Sequence, residues 1–179
     1  MVPAPVALRA MHPALRVNAI ELLRRPGSER SVEVDTTVAD LGIDDGRFLA
    51  SDPVQVALRL EALTDGVVVS GLVHGTWHGT CRRCANPAQG PLDCEVHELY
   101  QRVVTDPDAF ELGELLDLEP MVREVLLLDA PLVPLCTADC QGLCPQCGVD
   151  RNVETCRCDT TVADPRWAAL DELRDRFDD

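Results

Sequence analysis

The sequence predicts an α+β chain: a β-rich domain on an antiparallel, partly barrel-like sheet, one packed helix, a C-terminal cysteine-rich module and a terminal helix. Three observations carry this. Val54, Val56, Leu58 and Leu60 alternate with Gln55, Ala57, Arg59 and Glu61, the period of a half-buried strand. "LLDLEPMVREVLLLDAP" places Leu118, Val122, Val125 and Leu126 on one helical face with Met121 beside it. Finally, Cys136 to Cys158 packs six cysteines into 23 residues, spaced C-x3-C-x3-C-x2-C-x8-C-x-C.

In chain order, residues 1–14 are rich in Pro and Ala and read as a flexible N-terminal segment. "LRVNAIELLRRPGSERSVEVDTTV" reads as a strand, a turn at Pro26-Gly27 and a strand around Ser31–Val38. "DLGIDDGRFLASDP" reads as an acidic loop anchored by Leu41 and Ile43. Thr64-Asp65-Gly66 then gives a hairpin signal after the alternating strand. "VVVSGLVHGTWHGTC" is the return strand, and Gly71, Gly75 and Gly79 within it read as bulges or coiling toward a barrel. It ends at Cys81, where "CRRC" reads as a metal knuckle at the tip of a hairpin whose next strand covers Leu92–Val104.

Residues 105–116 read as an acidic connector. Asp117 is the expected N-cap of the helix, with Pro120 in the first turn, where a missing N–H costs little. Pro131 and Pro134 end the helix, and "DPRWAALDELRDRF" reads as a last helix with Trp167, Leu170, Leu173 and Phe177 in a stripe. The division is therefore 1–14, a β-rich domain over 15–135, and a cysteine module with terminal helix over 136–179, the last two forming one domain.

Cys81 and Cys84 with Cys136, Cys140, Cys144, Cys147, Cys156 and Cys158 make eight thiols, the number for two tetrahedral zinc ions with four thiolates each. In one partition Cys144, Cys147, Cys156 and Cys158 bind locally, leaving Cys81, Cys84, Cys136 and Cys140 to bridge sheet and tail. In the other, the two C-x2-C pairs join across the domain, leaving Cys136, Cys140, Cys156 and Cys158. Contiguous ligands close the smaller loop, which leans toward the first. Cys94 is the odd thiol, read as a small buried hydrophobe or a bystander.

Rival chemistries have weaker support. "CPQC" alone would suit a redox dithiol, but such motifs open a helix in a βαβ unit, absent here. An iron–sulfur cluster can use four cysteines. Zinc deamination needs H-x-E with P-C-x-x-C, and that signature is missing. His74, His78 and His97 read as strand-surface or core residues, and no catalytic constellation stands out. Arg82 and Arg83, at the knuckle tip, are candidate contacts for RNA or a carboxylate-bearing partner.

Net charge is −15, with sixteen Arg and no Lys. Two four-thiolate zinc sites would add −2 each, so nonspecific phosphate binding is disfavoured and a basic protein partner suits the charge better. No run of eighteen apolar residues and no secretory signal is read, so the expectation is a cytoplasmic protein without membrane contact. In that compartment clustered thiols hold metal in preference to forming disulfides.

"GVVVSG…CRRC", "LLDLEPMVREVLLLDAPLVPLC", "GLCPQCG" and "DPRWAAL" together resemble the YceD family, from about residue 15 to 173, in the style of a high-G+C bacterial member. The resemblance implies a noncatalytic ribosome-biogenesis role: accumulation of 23S ribosomal RNA and assembly of the large subunit. It implies as partners that RNA or a basic large-subunit ribosomal protein, and no small-molecule substrate. Some relatives lack the tail cysteines while keeping the first pair, which implies that the tail metal stabilises this version. A zinc- or thiol-dependent regulatory or redox-responsive switch is the alternative reading of the same cysteines.

Overall fold

The structure is a computed structural model that describes residues 13–104, 109–158 and 166. The expectations for residues 1–12 and for the last helix lie outside the described residues. A 3-10 turn at Pro13–Leu15 leads into β1 (Arg16–Asn18), α1 (Ala19–Leu23), β2 (Glu29–Thr37), α2 (Val38–Leu41), β3 (Pro53–Ala62), β4 (Gly66–Thr80) and β5 (Pro87–Gln101). Then come β6 (Phe110–Glu111), β7 (Leu115–Asp117) and α3 (Glu119–Asp129).

The main sheet has the order β2-β3-β4-β5-β6, and β1 pairs with β7 in a separate two-stranded ribbon. β2 to β5 are antiparallel, whereas the short β6 runs parallel to β5, so the sheet is mixed at that edge. β2 and β6 stay apart as its two edges.

β3 shows the expected alternation along its whole length, with Val54, Val56, Leu58, Leu60 and Ala62 buried. The inner face continues across the ladder, where Val56 is opposite Val73, and Val73 opposite Cys94. Cys94 is 0% exposed and thus takes the place of a small apolar residue in a core rung. α3 lays Met121, Val122 and Leu126 on this face, all fully buried, beside Leu116 and Val17 of the ribbon. The opposite face of β3 keeps Gln55, Ala57, Arg59 and Glu61 exposed.

Several sequence expectations are corrected. Ala19–Leu23 is a helical turn rather than strand, because the Asn18 side chain accepts a hydrogen bond from the Glu21 amide and caps it. The acidic loop likewise starts with a turn of helix, capped by Thr37 and closed by Gly42 in the left-handed conformation (φ 60°). The connector at 105–116 carries β6 and the start of β7. At α3 the formal N-cap is Leu118, one residue later than expected, yet Asp117 Oδ1 still accepts from the Glu119 amide at 3.1 Å.

The glycines of β4 do not mark bulges, since its pairing with β3 and β5 runs without a break. They provide clearance instead. A Cβ on Gly75 would lie 3.1 Å from Leu126 Cδ2, and one on Gly79 3.0 Å from Pro134 Cγ, so α3 and the proline segment after it can lie close to the strand. Gly71 has φ +148°, and a Cβ there would fall 2.2 Å from the Ala57 carbonyl oxygen. Among the described residues no helix is long and apolar enough to cross a membrane.

Gly71→Ala should therefore lose about 2–4 kcal/mol in urea unfolding, from an unfavourable φ combined with a backbone clash. Gly27, also at positive φ (+81°) but with open space around it, should lose only about 1–2 kcal/mol on the same change.

Candidate metal centres

β4 and β5 run past the sheet's core as a long two-stranded arm, and their turn is the first knuckle. The Cys81 amide donates to the Asn86 carbonyl (2.8 Å) and the Ala85 amide to the Cys81 carbonyl (2.9 Å). These bonds curl the C-x2-C segment so that both sulfurs face one way. Ala85 pays for the curl with φ 61°, a left-handed conformation that only glycine adopts freely. The second knuckle repeats the design. Cys144 N donates to Val149 O (2.8 Å) and Gly148 N to Cys144 O (2.9 Å), with Gly148 (φ 74°) where the first has Ala85.

The proline segment delivers the remaining ligands of the first group. With Gly79 clearing Pro134, the Pro134 carbonyl accepts from the Arg82 amide at 3.0 Å, which sets Cys136 beside the knuckle. Cys81, Cys84, Cys136 and Cys140 converge in one group, and Cys144, Cys147, Cys156 and Cys158 in another, with sulfurs all within 4.8 Å of one another in each. This is the first of the two partitions. All nine cysteines are free thiols.

The sulfur spacing bears on what could sit there. Cys81–Cys140 is 3.8 Å, Cys84–Cys136 3.5 Å, Cys147–Cys156 3.6 Å and Cys144–Cys156 3.3 Å. A disulfide needs about 2.05 Å. A tetrahedron with sulfurs about 2.3 Å from a central ion has edges of about 3.8 Å. The residues present therefore fit a four-thiolate ion in both groups.

Electrostatics point the same way. Burial alone would push the Cys81 thiol up, but backbone amides of Cys136, Cys84 and Arg83 aimed at its sulfur bring it down to about 6. Amides of Cys147 and Gln146 lower Cys144 to about 6 likewise. At Cys84 an Asn86 amide favours the thiolate, but burial and three nearby sulfurs win, pushing it up to about 12. Cys156 and Cys147 push Cys158 up to about 12. In each group one thiol is thus shifted toward the thiolate and a neighbour away from it; a dication between them would favour the thiolate on both.

The two groups differ in their surroundings. Cys81, Cys84 and Cys140 are at most 3% exposed and pack with Ala88, Trp77 and Leu135. The fourth member of that group, Cys136, is exposed; in the tail group Cys144 is buried, Cys156 and Cys158 are half-buried and Cys147 is exposed. The tail is also fastened directly to the hairpin: Leu143 N donates to Arg83 O (2.9 Å), and Asn86 Nδ2 to Asp150 Oδ2 (2.8 Å).

The structure separates the two arginines. Arg83 Nη1 donates to the Cys140 carbonyl at 2.9 Å and to that of Ala138 at 3.4 Å, so it holds the tail in place. Arg82 lies exposed at the tip of the knuckle. Among the described residues no histidine joins either group: His74 pairs with Asp93 across the open sheet face (2.6 Å), and His78 with Asp52 (2.9 Å). Sequence reasoning passed over Asn86 and Asp150, whose signal was only that of turn-forming residues next to each knuckle.

The family model described as "Large ribosomal RNA subunit accumulation protein YceD" matches residues 69–174. An uncharacterized protein of Mycobacterium tuberculosis is 34% identical over 94% of this chain and 86% of its own length, and one of Mycobacterium bovis is equally similar. An uncharacterized protein of Mycobacterium leprae is 27% identical over 84% of this chain and 73% of its own. No solved structure matches the chain.

Ala85→Gly should raise the stability of the folded chain by about 1 kcal/mol by releasing the left-handed strain of the first knuckle, and Gly148→Ala should lower it by a similar amount. Denaturant midpoints of the two variants, moving in opposite directions, check that the knuckles share one geometry.

Proposed function

The chain belongs to the YceD family, and on that premise we propose that it is a noncatalytic factor supporting accumulation of large-subunit ribosomal RNA and assembly of the large subunit. The observation that carries this reading is the family match over residues 69–174, which spans the first knuckle, α3 and the cysteine tail. Each of the two four-cysteine groups holds one zinc ion with a structural role. The four sulfurs of each group lie within 4.8 Å of one another, so an ion among them would be enclosed by protein sulfur, the arrangement of structural rather than catalytic zinc. A multi-iron cluster would hold its cysteines further apart.

The immediate partner is a basic large-subunit ribosomal protein, with RNA contact local. Net charge of −15 supports the basic partner, and the uncovered sheet face bears Glu33, Asp35, Glu61, Asp93 and Glu95, all exposed. Of the two knuckle arginines, Arg82 is exposed and turned to no tail contact, which suits a phosphate, while Arg83 is engaged with the tail. The protein works in the cytoplasm, where the ribosome is built.

Two measurements test this. Depleting the protein from the organism that encodes it should lower 23S relative to 16S ribosomal RNA; an unchanged ratio rejects the role. Metal analysis of the purified chain should find two zinc ions, and Cys84→Ser should leave one. Reversible loss of zinc on mild oxidation, with a change in bound partners, would favour the redox switch instead.

A further inference from the structure

We infer that Asn152 couples the two four-cysteine groups, so that an ion held by the tail group tightens the hold of the hairpin group on its own. This rests on the reading of both groups as zinc sites. Asn152 lies in the loop between Cys147 and Cys156, which the tail group closes. Its side chain nevertheless reaches into the other group: Nδ2 donates to Cys140 Sγ at 3.3 Å.

Asn152 is held in that position by two neighbours, Asp150 and Gln141. Asn152 N and Nδ2 both donate to Asp150 Oδ1, at 2.9 and 2.6 Å. Its Oδ1 accepts from the Gln141 amide at 2.7 Å, next in sequence to Cys140. Asp150 in turn accepts from Asn86, two residues past Cys84. The path Asn86–Asp150–Asn152–Cys140 thus begins and ends at the hairpin group while passing through the tail loop.

The physical consequence follows from charge. Cys140 is 3% exposed, so water does little for a thiolate there, and four sulfurs around one ion leave excess negative charge on each. An amide N–H aimed at the sulfur takes up part of that charge and orients the ligand, as outer-shell donors do at metal sites. When the tail group is empty, the 148–155 loop loses its anchor at Cys156 and keeps those to Gly142, Gln141 and Asn86, so the donor is held less firmly against Cys140. Binding at one group then favours binding at the other, and by linkage the benefit is mutual.

The test uses the full chain with zinc alone. Cys156→Ser/Cys158→Ser empties the tail group, and competition with a chromophoric chelator reads the affinity of the hairpin group. In the intact chain the alkylation of Cys81 and Cys84, resolved by mass spectrometry, reads the same group at fixed free zinc. Emptying the tail should weaken the hairpin group about 10-fold, Asn152→Ala should do the same, and the two together should cost no more than either alone. Asn152→Asp keeps an oxygen toward Gln141 but sets a carboxylate against the sulfur, and it should weaken the hairpin group further. Val153→Ala, at a side chain 79% exposed in the same loop, should leave it unchanged and controls for loop disturbance. Two zinc ions bound with a hairpin affinity indifferent to the tail cysteines, or with fully additive losses, overturns the coupling alone. A chain that binds no zinc overturns the coupling and the metal reading together.

Discussion

Convergence of four thiols on one place is the constraint on which the last fifth of the described chain depends. Between residues 131 and 158 the buried apolar side chains are those of Cys140 and Cys144, while Leu132, Val133, Leu143 and Val153 are exposed. So little buried apolar surface cannot offset the entropy of ordering nearly thirty residues. Four sulfurs around a cation can, because binding free energy at such a site is folding free energy. The hairpin group adds a second benefit. Two of its ligands belong to the sheet and two to the tail, so one ion would fasten the module to a rigid body.

That rigid body is prepared by β4. Over fifteen residues the strand first contributes Val67, Val69 and Val73 to the core, and then continues as the arm that ends at Cys81. Its glycines lie where other elements press in: Gly75 under Leu126 of α3, Gly79 under Pro134. The second of these contacts sets the path of the chain into Cys136. A property of the strand's backbone thus decides where a ligand sixty residues later can be.

Much of this was legible in the sequence. The alternation from Val54 to Leu60 gave β3 and its buried face, and the spacing of Leu118, Val122 and Leu126 gave α3, because both are periodic over many residues. The cysteine spacing narrowed the grouping to two partitions, and loop closure leaned toward the one the structure has. Other features were not legible, for physical reasons. Ala19–Leu23 is too short for a helical period to register, and only the cap at Asn18 marks it. Whether a strand glycine is a bulge or a clearance depends on what packs against it, which local sequence does not hold. Arg83 reads in the sequence as a candidate contact for RNA or a partner, and nothing singles out Asn152; their partners, the Cys140 carbonyl and the Cys140 sulfur, are 57 and 12 residues away.

X-ray absorption at the zinc edge tests the central claim most directly, on the chain as purified. If sulfur-held cations lock the tail to the sheet, the zinc should show four sulfur neighbours at about 2.3 Å and no nitrogen or oxygen in its shell. A shell containing oxygen or nitrogen, or cysteines joined in disulfides while the tail remains folded, would contradict it.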